Sequence, residues 1–255
     1  QKEYYQLFSY FNNIDESGLY SYFTSSVPTP TLALLSEEQK KQIAALQTTL
    51  GNVKEPIATG VHAMSDDALL EKALQVNGRD PIETVDFKVV GGRNTKTTDQ
   101  RGKPAAMLTG DDAITLKTGN FKRHAPFSVR LSLKTPDEKE RAVVFHRSRA
   151  WTDAGSRGYQ LLIEDGKLSA SLIHFWPGNA ISVKTTQAIP VNRWIDVAVT
   201  YDGSISAKGI SIFIDGKMAE VEIVKNQLTK NITGGGGNTI AIGARFRDRG
   251  FTHGE

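Results

Sequence analysis

The spacing of apolar side chains changes from three-to-four to two near residue 82, and that change divides the chain. Tyr4, Tyr5, Leu7, Phe8, Tyr10 and Phe11 form a broad stripe at helical spacing, ended by Asn12 and Asn13. Pro28 and Pro30 bar its continuation. A second helix is predicted from Ser36, where Gln39 completes a capping box: hydroxyl and amide each serve a backbone N–H that a first turn leaves unpaired. Ile43, Leu46 and Leu50 form its stripe, Gly51 is the expected stop, and Pro56 forbids continuation. That stripe is too short for a free coiled coil, so a packed connecting helix is expected. A third short helix is predicted over Asp66 to Val76, closed by Asn77-Gly78.

From Ile82 apolar residues alternate, at Phe87 and Val89, at Ile114 and Leu116, and at Val129, Leu131 and Leu133. Further strands are predicted at 143–145, 159–163, 168–173, 181–183, 194–200, 210–214 and 240–242. Asp165-Gly166, Asp202-Gly203 and Asp215-Gly216 supply turns between them. Many short strands joined by Asp-Gly turns predict an antiparallel two-sheet sandwich over 82–255, preceded by a helical segment over 1–81. Gly234 to Gly237 reads as a loop tip.

Composition narrows the function. Of 255 residues, 39% are hydrophobic and 23% charged, ordinary for a globular chain. A net charge of +3 does not argue for nucleic acid as a partner. With no cysteine there is no disulfide, no thiolate metal site and no haem attachment in this chain. No stretch approaches the roughly 20 apolar residues of a membrane span. No signal peptide is seen, and a start at Gln1 rather than Met fits a piece of something longer.

Four strings taken in order, Gly158 to Ala170, Pro190 to Trp194, Ala198 to Gly203 and Ile212 to Lys217, resemble the laminin-G-like (concanavalin A-like) jelly roll. The resemblance covers roughly residues 84–255 and implies a mainly β sandwich with Trp194 capping the core where a strand begins. Gln1 to Glu16, Ser148 to Arg157 and Leu172 to Ala180 resemble segments of exported planctomycete-type cytochrome c multidomain proteins. That likeness implies a bacterial protein of the periplasm, cell surface or medium. Haem is expected only on an upstream domain, so no cytochrome role falls on any residue of this chain. Members of the family run on past the position of Glu255 into a closing strand. Completion by a continuation of this chain or by another chain is the expectation, since an open edge invites association.

Catalytic patterns are few. Jelly-roll glycosidases carry Glu-x-Asp-x-x-Glu, which sets acid and nucleophile on one face; this sequence has only Glu220-Val-Glu222, expected to be exposed strand carboxylates. No Gly-x-Ser-x-Gly and no His-Glu-x-x-His occurs. Polysaccharide lyase chemistry from a Tyr or His base near Arg stays open as an alternative.

The densest cluster of candidate residues is His146, Arg147, Arg149, Trp151 and Asp153 with His174, Trp176 and Asn179. An indole stacks on a pyranose face while planar polar groups take its hydroxyls, which suits polysaccharide binding without catalysis. The same residues suit a turn packed at the sheet rim, or anchors for a neighbouring protein domain. Arg245, Arg247 and Arg249 alternate; if the strand continues they share a face that would meet an anionic glycan, or guard an edge. Asp111 and Asp112 follow Gly110 where jelly rolls of this kind sometimes bind calcium, or form a plain turn. Asn231-Ile-Thr233 is a glycosylation sequon, relevant only in a glycosylating host.

Overall fold

The computed structural model describes residues 36–62, 81–85, 87 and 90–255. The helices predicted at 4–11 and 66–76 lie outside them. The chain divides into two compact units, residues 1–77 and 78–255.

In the first unit, α1 spans Glu37–His62. It starts on the predicted capping box: the Ser36 N–H donates to Gln39 Oε1 at 2.9 Å, and the Gln39 N–H to Ser36 Oγ at 3.2 Å. Contrary to expectation the helix runs through Gly51 and Pro56. An interior proline loses its own N–H from the ladder and its ring crowds the carbonyl four residues before it, yet the turns on either side continue across Pro56. Residues 36–49 are exposed throughout, with Leu46 at 69%, so this stretch is not the packed helix expected. Two apolar side chains, Ile43 and Leu46, make too narrow a stripe there.

The second unit holds, in chain order, β1 (Thr95–Thr98), β2 (Pro104–Met107), β3 (Ile114–Thr115), β4 (Phe127–Leu133), β5 (Arg141–Arg147), β6 (Gly158–Glu164) and β7 (Lys167–Phe175). There follow β8 (Asn179–Thr185), β9 (Ile195–Tyr201), β10 (Ile210–Ile214), β11 (Lys217–Met218), β12 (Val221–Gln227) and β13 (Ala241–Ile242). One sheet has the order β12-β8-β7-β6-β5-β13-β3 and the other β11-β10-β9-β4, while β1 and β2 pair alone; every ladder is antiparallel. The molecule is the mainly β sandwich expected. Phe87 lies in a turn against the core instead of opening a strand, and Val89 lies outside the described residues.

Local chemistry explains the ladders. Asp165 (φ 52°) and Gly166 (φ 72°) close the β6–β7 hairpin, and Asp215 (φ 50°) and Gly216 (φ 81°) close β10–β11. Two consecutive left-handed residues match the twist of the strands they join, and Asp-Gly adopts them at low cost. The inner face of the larger sheet presents Leu161, Ile163, Leu168, Leu172, Ile181 and Val183 to Val197, Val199 and Ile212 of the smaller one. Burying each such side chain is worth about 1.5–3 kcal/mol. Phe127 lies 4.7 Å from Tyr159 and 5.7 Å from Tyr201, so aromatic rings tie the sheets together at one end. The outer face of β6–β8 is buried as well, by small groups: Gln160, Ser171 and Ser182 are paired in register across it, and the two serine hydroxyls are bonded at 2.8 Å.

Candidate functional site

A bulge decides which of the predicted site residues reach the surface. Strand β5 slips by one residue against β6 between Val143 and Phe145, so Val144 and Phe145 both enter the core. Arg147 is then paired with Tyr159 on the inner face and is fully buried. Its guanidinium donates to the Ile232 carbonyl at 2.7 Å, to Asn120 Oδ1 at 2.5 Å and to Asn238 Oδ1 at 3.3 Å. Its Nε is the one buried side-chain nitrogen or oxygen without a partner among the described residues. Burial lowers the Arg147 pKa, Tyr159 raises it and Arg157 lowers it further.

His146 faces outward but is covered. Nε2–H donates to the Ala244 carbonyl at 3.0 Å, and Nδ1 accepts from Ser148 at 2.9 Å. Burial, and then the charge of Arg245, push it down to about 4. Beside it lies an ionic cluster. Asp248 accepts from Arg141 Nε at 2.7 Å and from Arg245 Nε at 2.9 Å, while Arg245 also donates to Gln160 Oε1 at 2.6 Å. Trp151 covers this cluster: Arg141 and Arg245 sit 4.6 and 4.8 Å from its ring centroid.

The strand expected to carry Arg245, Arg247 and Arg249 on one face ends at Ile242. A turn follows, in which the Asp248 N–H donates to the Arg245 carbonyl at 3.2 Å and Arg247 is left-handed at φ 58°. Arg245 therefore points inward, Arg247 lies exposed 5.3 Å from the exposed ring of Phe246, and Arg249 pairs with Glu140. The turn drew a strand expectation because Arg-Phe-Arg-Asp-Arg alternates; only the backbone shows the reversal.

His174 ends β7 among its own partners. Nδ1–H donates to the Asn231 carbonyl at 2.6 Å, and Nε2 accepts from Arg157 at 3.4 Å. Burial is the main cause of its pKa near 4; Arg157, Lys230 and Arg123 add to it against the Asn231 bond. Asn179 is buried, donating to Thr229 Oγ1 at 2.7 Å and accepting from the Thr229 and Lys230 N–H groups. Asp153 opens a 3-10 turn, Asp153–Ser156.

What remains at the surface is a rim. Trp151 and Trp176 are both half-buried, with ring centroids 5.9 Å apart and planes tilted by 49°. The Trp151 N–H donates to the Phe246 carbonyl at 3.1 Å, which sets the 67%-exposed Phe246 beside the pair. Arg149 and Arg247 are exposed on the loops that carry these rings. Trp151 carries the two buried guanidinium groups, Phe246 carries Arg247, and Trp176 meets Trp151 alone among the described rings. Phe246 escaped the sequence reading because it sits between two arginines that drew the attention.

The carboxylates Asp111 and Asp112 lie elsewhere, both paired with Arg93 at 3.1 and 3.0 Å. The Arg93 N–H groups and charge hold Asp112 below the usual carboxylate range despite some desolvation. Arg93 thus engages one oxygen of each carboxylate. No group of three or more His, Asp or Glu side chains able to hold a metal occurs among the described residues, so these two carboxylates are joined by no third. Glu220 and Glu222 are exposed on and beside β12, as expected. No helix among the described residues is long and apolar enough to cross a membrane.

Rings and arginines thus share a rim of an antiparallel sandwich. Residues 108–255 match the model of the concanavalin A-like lectin/glucanases superfamily, and the chain belongs to that family. No curated protein matches it. Among solved structures it is similar to domain 4 of AbnA, a GH43 extracellular arabinanase from Geobacillus stearothermophilus, in complex with arabinotriose (17% identity, 66% of this chain and 74% of that one, TM-score 0.39). It is also similar to domains LG4-5 of the mouse laminin alpha1 chain (15% identity, 68% and 44%, TM-score 0.43). A third similar structure is the Ruminococcus gnavus IT-sialidase CBM40 bound to alpha2,3 sialyllactose (16% identity, 50% and 71%, TM-score 0.39).

Proposed function

We propose that this chain is a non-catalytic recognition module that binds polysaccharide through the rim around Trp176, within an exported bacterial protein. The observation that carries the reading is the tilted pair of Trp176 and Trp151 with Phe246 alongside. Trp151 is fixed from below by Arg141 and Arg245, which makes it a rigid backing. A rigid ring with one open face binds a sugar ring without losing side-chain entropy. The two histidines of the predicted cluster, His146 and His174, are buried and spend both ring nitrogens on the protein itself. That arrangement supports binding over acid–base chemistry.

Affinity electrophoresis against a panel of neutral and acidic polysaccharides tests the reading. Trp176→Ala is expected to abolish retardation while leaving the circular dichroism spectrum and melting temperature near wild type. Retardation unchanged by Trp176→Ala, or none for any polysaccharide, overturns it; in the second case assembly with a neighbouring protein domain becomes the better account of the rim.

A further inference from the structure

We propose that the polysaccharide this rim takes is anionic, its carboxylate or sulfate groups held by the exposed Arg149 and Arg247, which meet no carboxylate among the described residues; this rests on the sugar-binding reading above. Across the second unit arginines are paired. Arg93 meets Asp111 and Asp112, Arg101 and Arg130 meet Asp196, and Arg193 meets Asp215. Arg141 and Arg245 share Asp248, and Arg249 meets Glu140. Among the described residues Arg123, Arg147, Arg149, Arg157 and Arg247 have no such partner.

Arg149 and Arg247 are exposed on the loops that carry the rings, Arg123 and Arg157 are half-buried, and Arg147 is sealed on the inner face. Arg149 lies two residues from Arg147 and two from Trp151. Arg157 donates to the His174 carbonyl at 3.3 Å, two residues before Trp176. Arg123 donates to the Thr229 carbonyl, next to Lys230. Arg247 lies against Phe246. The glycine run packs on the same side chains: a Cβ on Gly235 would lie 2.7 Å from the Arg157 Cβ, and one on Gly236 would lie 3.2 Å from the Arg149 Cδ. Side chains on that loop would crowd the arginines; glycines leave them room. Arg157 also meets the His174 ring, Nη2 to Nε2 at 3.4 Å.

Arginines that meet no carboxylate among the described residues are unfavourable neighbours unless something else supplies the anion. A planar guanidinium donates two parallel hydrogen bonds to a carboxylate or a sulfate, and an indole beside it stacks on the ring that bears the group. An acidic polysaccharide presents both features at the spacing of one sugar.

The test compares dextran sulfate and polygalacturonate with unmodified dextran and with polyglutamate, by calorimetry at low and at high salt. The expected result is binding to one or both acidic polysaccharides about tenfold or more tighter than to dextran, lost at high salt, where screening acts. The two acidic probes separate sulfate from carboxylate recognition. The double variant Arg149→Glu, Arg247→Glu, both at exposed positions, should abolish this preference. Arg193→Glu, an exposed charge reversal away from the rim, should leave it in place. Equal affinity for dextran, or an unaltered preference in the double variant, overturns the proposal while the sugar-binding reading stands. Polyglutamate bound as tightly also overturns it, by showing a general polyanion surface. Failure to bind any of the polysaccharides overturns both.

Discussion

The guanidinium of Arg245 lies 4.8 Å from the ring centroid of Trp151, sealed between that indole and Gln160, and Asp248 is its counter-charge. The Arg245 side chain is 0% exposed and that of Asp248 2%. Replacing Asp248 by Ala leaves Arg245 and Arg141 without their shared carboxylate. Breaking a buried pair from one side costs about 3–5 kcal/mol. Urea unfolding of Asp248→Ala should show that loss at unchanged m-value. The double variant Asp248→Leu, Arg245→Met, which removes both charges, should recover part of it.

Acid should loosen the same end of the molecule. His146 and His174 are held to about 4 in the folded chain, chiefly by burial, against an ordinary 6.5. Between those values the unfolded chain binds protons that the folded chain refuses. Their contribution to stability is therefore present above pH 6.5 and is lost as pH falls toward 4, by roughly 1.4 kcal/mol per pH unit for each histidine. Asp248 adds to the loss lower down. Burial alone would raise its pKa, but Arg141 and Arg245 outweigh it and hold it below the ordinary carboxylate value. Urea midpoints measured from pH 7 to pH 4 should fall steadily, and His146→Gln should flatten the slope.

How much of this was legible depends on which residues carry a local signal. The Asp165-Gly166 and Asp215-Gly216 turns were, because left-handed backbone selects those residue types. So was β4, whose alternating Phe127, Val129, Leu131 and Leu133 face one way. Strands β1 and β2 were not: Thr95–Thr98 is polar and largely exposed, and β2 begins on Pro104, which breaks a strand pattern. At the site the rings were legible and their surroundings were not. Arg147 reads as a surface arginine, yet one bulge in β5 moves it to the inner face. Arg245 and Asp248 come together only because Arg247 turns left-handed between them. Neither the bulge nor the turn leaves a residue-type signature.

Gly158 joins the rim loop to β6 at φ 151°, where a Cβ would stand 1.5 Å from the Arg147 carbonyl oxygen. Gly158→Ala must push β5 and β6 apart beside the buried Arg147. Gly102 offers the comparison: it is also left-handed, at φ 72°, with nothing within 4 Å of an added Cβ. Gly102→Ala should cost only the backbone term of about 1–2 kcal/mol. Gly158→Ala should cost clearly more, read from paired thermal melts, and should weaken polysaccharide retardation because Arg147, Arg149 and Trp151 shift with the strand.

The outer edge of β4 sets the behaviour of the isolated chain. Lys134 and Glu255 exchange both backbone hydrogen bonds, at 2.8 and 2.9 Å, and the Leu108 N–H donates to the Gly254 carbonyl at 2.8 Å. Residues 253–255 are thus held between β2 and β4. Backbone groups alternate along a strand, so Ser132, Arg130 and Ser128 point the same way as Lys134, away from β9. No partner meets them among the described residues, since β4 has β9 as its one neighbour in the sheet. An unpaired edge of this length templates association. Sedimentation velocity on the 255-residue chain should show self-association that grows with concentration. Arg130→Pro removes an outward N–H without breaking the β4–β9 ladder and should keep the chain monomeric. A chain that is monomeric at every concentration, or an Arg130→Pro variant that associates as before, would show that this edge is not the contact.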